Sequence, residues 1–110
     1  MTGGFSDREK AFENKWAHDE ELRFRVASRR NKLLGLWAAG EMGLKGAEAE
    51  EYAKTVVQAE ISKDGDEAVF KKIRADFDAH KIARTDHLIR TKMDEFLVEA
   101  KKEVMSEGRS

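Results

Sequence analysis

The sequence has no cysteine, no proline and one tyrosine, and neither sign of charge dominates it. Without cysteine there is no disulfide framework, no Cys-based zinc site, no iron–sulfur cluster and no thiol nucleophile, a composition that fits a reducing compartment. With 21 basic against 22 acidic residues the net charge is −1, which argues against a general nucleic-acid binder. No apolar run reaches the roughly 18 residues of a membrane span, and no secretory n-region, h-region and cleavage site is present, so a soluble intracellular protein is expected. A chain of 110 residues makes one small domain at most. Such a domain buries roughly two-thirds of its unfolded surface, enough for a modest core but not for a deep pocket as well. The lack of proline, the strongest helix breaker, together with 39% charged residues, favours helices.

Four helical stretches follow from the spacing of apolar residues, and strict alternation never persists long enough for strands. The first begins at Ser6, where Ser6-Asp7-Arg8-Glu9 has the S-x-x-E pattern of a capping box behind Phe5, and extends to about Met42 before Gly40, Gly43 and Gly46 end it. The second, about Ala47 to Ile61, places Ala49, Tyr52, Ala53, Val56 and Val57 on one face, with Glu48, Glu50 and Glu51 near the positive end of its dipole. Asp64 with Glu67 offers a capping pattern for the third, whose Val69, Phe70, Ile73 and Phe77 recur at three- and four-residue steps through about Ala79. Thr85 or Asp86 caps the fourth, which carries the cleanest stripe, Ile89, Met93, Phe96, Leu97, Ala100 and Val104, and frays after Met105. Short connections make neighbours antiparallel, so an all-α four-helix bundle is the economical architecture.

Length is the most informative feature. A helix from Ser6 to Met42 would be about 55 Å long at roughly 1.5 Å per residue, against about 20–30 Å for the later ones, so half of it has nothing to pack against. Its later half carries Leu22, Val26, Leu33 and Trp37; its earlier half carries Phe5, Phe12 and Trp16. At about 100° per residue the two groups diverge by roughly 60–80°, with His18-Asp19-Glu20-Glu21 between them, though supercoil drift can absorb much of that offset. Two outcomes are open. The overhanging aromatics, flanked by Arg8, Lys10 and Lys15, serve a partner, or the helix bends back and Phe12 and Trp16 complete the core.

Catalytic patterns are absent. His18, His80 and His87 form no i,i+4 pair or ligand set, Asp64-Gly65-Asp66-Glu67 does not follow the order of a calcium loop, and Gly40, Gly43, Lys45 and Gly46 lack P-loop spacing. The serines have no nucleophile-elbow context, and the abundant carboxylates sit on charged helix faces. Arg23, Arg25, Arg29, Arg30 and Lys32 form a basic run with no acid between Leu22 and Gly40. It can grip phosphate or an acidic partner, or simply be a solvated face. Gly35 within Leu33-Leu34-Gly35-Leu36-Trp37 points to a close helix approach or a bend.

The blocks DREKAFENKWAHDEELRF (Asp7–Phe24), RRNKLLGLWAA (Arg29–Ala39), GAEAEEYAKTVV (Gly46–Val57), DEAVFKKIRADFD (Asp66–Asp78) and IRTKMDEF (Ile89–Phe96), in this order over nearly the whole chain, resemble the zeta subunit family of alphaproteobacterial F-type ATP synthases. These are small inhibitors of ATP hydrolysis. The resemblance implies a non-enzymatic protein without cofactor, with residues 1–19 an N-terminal inhibitory segment, flexible when free, and residues 20–110 a four-helix bundle. The segment would enter the interface of the alpha, beta and gamma subunits of the catalytic head and block rotation in the hydrolytic direction. Phe5, Phe12 and Trp16 would supply buried area there and Arg8 and Lys15 the register, while the face with Arg23, Arg29 and Arg30 would make a secondary partner or phosphate contact. The expected location is cytoplasmic, peripheral at the inner membrane through the synthase, with no nucleic-acid binding and no direct membrane insertion. The competing classes are a nucleotide-binding regulatory bundle, with weak ATP or ADP binding, and a general helical adaptor.

Overall fold

The computed structural model describes residues 7–107, which form five α-helices: α1 (Asp7–His18), α2 (Glu20–Glu41), α3 (Gly46–Ala59), α4 (Asp66–Ala79) and α5 (Asp86–Glu107). No strand occurs among the described residues. The all-helical expectation stands, but the helix expected over Ser6–Met42 is two helices. Asp19 separates them, extended at φ −112° and ψ 108°, with its side chain accepting a hydrogen bond from the Leu22 amide at 3.0 Å. Its carbonyl already accepts from the Arg23 amide, and Glu20 and Glu21 fill the first turn of α2. This is a capped helix start with acids at the positive dipole end. The longest dimension of the protein is 45 Å, too short for the straight helix of about 55 Å. Ser6 and Phe5, the basis of the expected first cap, lie outside the described residues.

The helix α2 is central, packed between α3 and α5, with α4 closing the far side against α3 and α5. The main core contains Leu34 and Ala38 of α2, Val56 of α3, Val69, Phe70, Ile73 and Phe77 of α4, and Ile89 and Met93 of α5. Trp37 meets Phe77 edge to face with ring centroids 5.7 Å apart. The expected third stripe is buried throughout, as are Ala53 and Val56 of the second and Ile89, Met93, Ala100 and Val104 of the fourth, whose Phe96 and Leu97 are partly buried. In α2 the inward face also includes Arg30 and Asn31, polar residues that break the apolar pattern. Of two expected caps, one is present and one differs. Thr85, not Asp86, caps α5 by accepting from the Leu88 amide at 3.0 Å. The N-cap of α4 is Gly65 at φ 50°, which has no side chain to cap the helix, and Glu67 pairs with Arg90 across to α5.

The helices α2 and α5 have 22 residues each, whereas α3 and α4 have 14. The antiparallel long pair therefore runs past the short pair. Beyond the main core it forms a second cluster of Val26, Ala100 and Val104, against which Phe12, Trp16, Leu22 and Leu97 pack.

Gly35 marks where α2 and α3 touch most closely. A Cβ there would lie 2.7 Å from the Ala53 Cα, whereas a Cβ at Gly40 would meet nothing within 4 Å. The close approach anticipated at Gly35 is present. Gly35→Ala should lower stability by about 1–2 kcal/mol, since forced backbone separation outweighs the gain in helix propensity of about 1 kcal/mol, whereas Gly40→Ala should keep that gain. Urea midpoints of the two variants, shifting in opposite directions, check this.

Candidate functional site

None of the twelve residues of α1 is fully buried. The helix lies along the far ends of α2 and α5, with Phe12 and Trp16 turned onto the second cluster. Thus, of the two outcomes open from the sequence, the described structure has the segment bent back with both aromatics on the core. The Lys101 ammonium sits 3.9 Å from the Trp16 ring centroid and its Nζ is 3.3 Å from Glu13 Oε1. Arg23 reaches the same indole at 5.8 Å. Near the start of α1, Arg8 donates to the Met105 carbonyl at 3.4 Å. Lys15 is exposed.

Several features make this seat weaker than the main core. Trp16 Nε1 is buried without a hydrogen-bond partner in the protein, and leaving such a donor unpaired costs about 1–3 kcal/mol. A shallow cavity of about 280 Å³, lined by Phe12, Glu13, Val98, Lys101 and Met105, separates parts of α1 and α5. The polar contacts are partly exposed, and such pairs are typically worth about 0.2–1 kcal/mol. A single non-helical residue, Asp19, joins α1 to α2.

The basic run of α2 is divided by the fold. Arg29 is gripped by Glu103, at 2.8 Å, and by Glu107, both on α5, and hydrogen bonding to these two carboxylates holds its pKa above the ordinary value. Arg30 is 4% exposed; it donates to Asp66 at 2.7 Å, Glu60 at 3.2 Å and Asn31 at 2.7 Å. Asn31 also donates to Glu60 at 3.0 Å. The fold thus brings Arg29 and Arg30, and at the surface Arg25 with Glu107 at 3.6 Å, to carboxylates of this chain, and leaves Arg23 exposed beside Phe24, which is 62% exposed. Phe24 and Lys101 carry no motif that would single them out in the sequence. Phe24 falls outside the apolar stripe of its helix, and Lys101 is one of many lysines until α1 is placed against it. Phe5 lies outside the described residues.

A family model described as ATPase inhibitor subunit zeta matches residues 1–103. The chain belongs to that family. No curated protein matches it. Membership in the zeta family supports a role as an inhibitor of the ATP synthase and implies association with that complex. Among the described residues no helix is long and apolar enough to cross a membrane, and no cluster of three or more potential metal ligands occurs.

The buried Arg30 network generates a pH dependence. Burial raises the pKa of Glu60, and the charge of nearby Asp66 adds to it. For Asp66 burial works in the same upward direction, but the hydrogen bond and charge of Arg30 outweigh it and hold its pKa low. Ionised Glu60 therefore opposes folding at neutral pH, an effect relieved as pH falls through its raised pKa. Asp66 stabilises above its unfolded value of 3.8 and loses that contribution as pH falls through its lowered one. Glu60→Gln, which keeps the acceptor, should be at least as stable as the parent at pH 7, with the difference shrinking toward pH 4.5. Arg30→Met should lose about 1–3 kcal/mol, because buried Asn31 and partly buried Glu60 lose a donor while Asp66, largely exposed, is solvated instead. Denaturant unfolding at several pH values checks both.

Proposed function

We propose that this zeta-family chain inhibits ATP hydrolysis by inserting its N-terminal segment, residues 1–19, at the interface of the alpha, beta and gamma subunits of the ATP synthase catalytic head. There it acts as a one-way rotation block, while residues 20–110 stay outside as an anchor. The observation that carries this proposal is that α1 is a separate helix, without a fully buried residue, joined to the bundle through Asp19 alone. An element held so lightly can leave its seat without dismantling the main core.

Once inserted, Phe12 and Trp16, with Phe5 ahead of them, would supply apolar area worth about 1.5–3 kcal/mol each when fully covered. Arg8 and Lys15 would fix register against carboxylates of the subunits and contribute mainly specificity. Arg23, exposed beside Phe24, is the member of the basic face best placed for a secondary contact, because Arg29 and Arg30 are held by carboxylates of their own chain. The same pairing weighs against the nucleotide-binding alternative, which would need those guanidinium groups for phosphate. The protein would work at the cytoplasmic side of the inner membrane, attached through the synthase.

The deciding measurement is ATP hydrolysis by purified catalytic heads depleted of their own inhibitor. The intact chain should inhibit, and deletion of residues 1–19 should abolish the effect while the remaining helices still unfold cooperatively. Equal inhibition by the truncated chain would overturn the proposal. Phe12→Ala combined with Trp16→Ala should weaken inhibition by at least tenfold, since loss of either buried aromatic is worth about 1.5–3 kcal/mol.

A further inference from the structure

We propose that α1, docked as it is between α2 and α5, is an autoinhibited state of the inhibitor, with Lys101 as its latch. The proposal rests on the insertion mechanism above. Phe12 and Trp16, the side chains a partner would cover, are already turned onto Val26, Ala100 and Val104. The same atoms cannot contact the bundle and a catalytic head together, so the segment must leave before it inserts.

Lys101 is the group that ties the docked state together. From α5 it reaches two side chains of α1, the Trp16 ring at 3.9 Å and Glu13 at 3.3 Å, and its own side chain is only 20% exposed. A partly desolvated cation over an indole face is attracted by the ring quadrupole, and an adjacent carboxylate adds to the attraction. The free donor at Trp16 Nε1 opposes docking. The balance favours a seat that is occupied and readily vacated, with Asp19 as the pivot. If only a fraction of molecules has α1 released, the apparent affinity for a partner falls by that fraction. Masking also covers two large aromatics that would otherwise invite non-specific association in the free protein.

Lys101 lies outside the proposed inserting segment, so its replacement separates loss of the latch from loss of partner contacts. Lys101→Met retains the aliphatic packing and removes the charge. It should speed amide hydrogen exchange over residues 7–18 and improve the half-inhibitory concentration about three- to tenfold, the factor by which the released population grows. The reverse change is a lock. Glu13→Cys with Lys101→Cys places the only two cysteines in the chain, to be joined by a bismaleimide containing a reducible disulfide. The linked full-length protein should lose inhibition and regain it when the linker is reduced. Potency in the order latch-free, parent, linked supports self-masking. Inhibition that is the same in all three overturns it, leaving insertion to be judged by the truncation. No inhibition by any of the three, reduced linker included, overturns insertion and self-masking together.

Discussion

Two helices of 22 residues laid against two of 14 leave eight residues of each long helix without a partner. That is about two turns, or roughly 12 Å, over which apolar side chains would face water. The structure answers with a fifth helix. At one end the core is built from α2, α3, α4 and α5; at the other, α1 takes the place of the short pair against Val26, Ala100 and Val104. The two ends are not equivalent. The main core interlocks large side chains such as Phe77, Leu34, Ile73 and Ile89, all fully buried, whereas the second is formed largely from alanine and valine under a half-exposed helix. Differences in local stability follow from this inequality, and the less stable end is the one that contains the aromatic segment.

The boundary between the two ends is polar. Arg30 and Asn31 lie on α2 between Val26 of the second cluster and Leu34 of the main one, and they tie α2 to Glu60, after the end of α3, and to Asp66, at the start of α4. A buried guanidinium with carboxylates at 2.7 and 3.2 Å is a weak source of net stability, because desolvation offsets much of the attraction. Its consequence is positional. The α3–α4 connection can meet Arg30 only in one register, so the short pair stops there and the far end is left for α1. The close crossing at Gly35, one turn further along α2, fixes the same register from the apolar side.

Much of this was legible in the sequence. The stripes of α4 and α5 are clean because each of these helices faces one apolar core over most of its buried length. The central helix is harder to read. It is contacted from several sides, and its inward face contains Arg30 and Asn31, so its periodicity is diluted. The break at Asp19 left two signals, an N-cap residue followed by Glu20 and Glu21, and a change of phase between Trp16 and Leu22. Each signal alone is compatible with a continuous helix, since capping residues occur within helices and supercoil drift shifts the phase. The length mismatch, a global quantity, pointed to an uncovered segment. It did not fix where the segment goes, because that depends on α5 presenting Lys101 and Met105 about ninety residues later. Contacts of that kind have no local signature.

The same long-range dependence bears on the proposed function. A segment that inserts into a partner as proposed, and also docks on its own bundle, has to satisfy two surfaces with one set of side chains, so neither fit can be optimised alone. An indole with a fully satisfied N–H and complete burial would seat α1 more firmly and so reduce the population free to engage a catalytic head. A segment with no seat would present Phe12 and Trp16 to water at all times, in a chain whose net charge of −1 gives little protection from self-association. A lysine latch lies between these limits. It holds the aromatic ring through an attraction that weakens when competing charges approach, whereas an additional buried leucine would hold it by area alone, insensitive to the charge of whatever comes near.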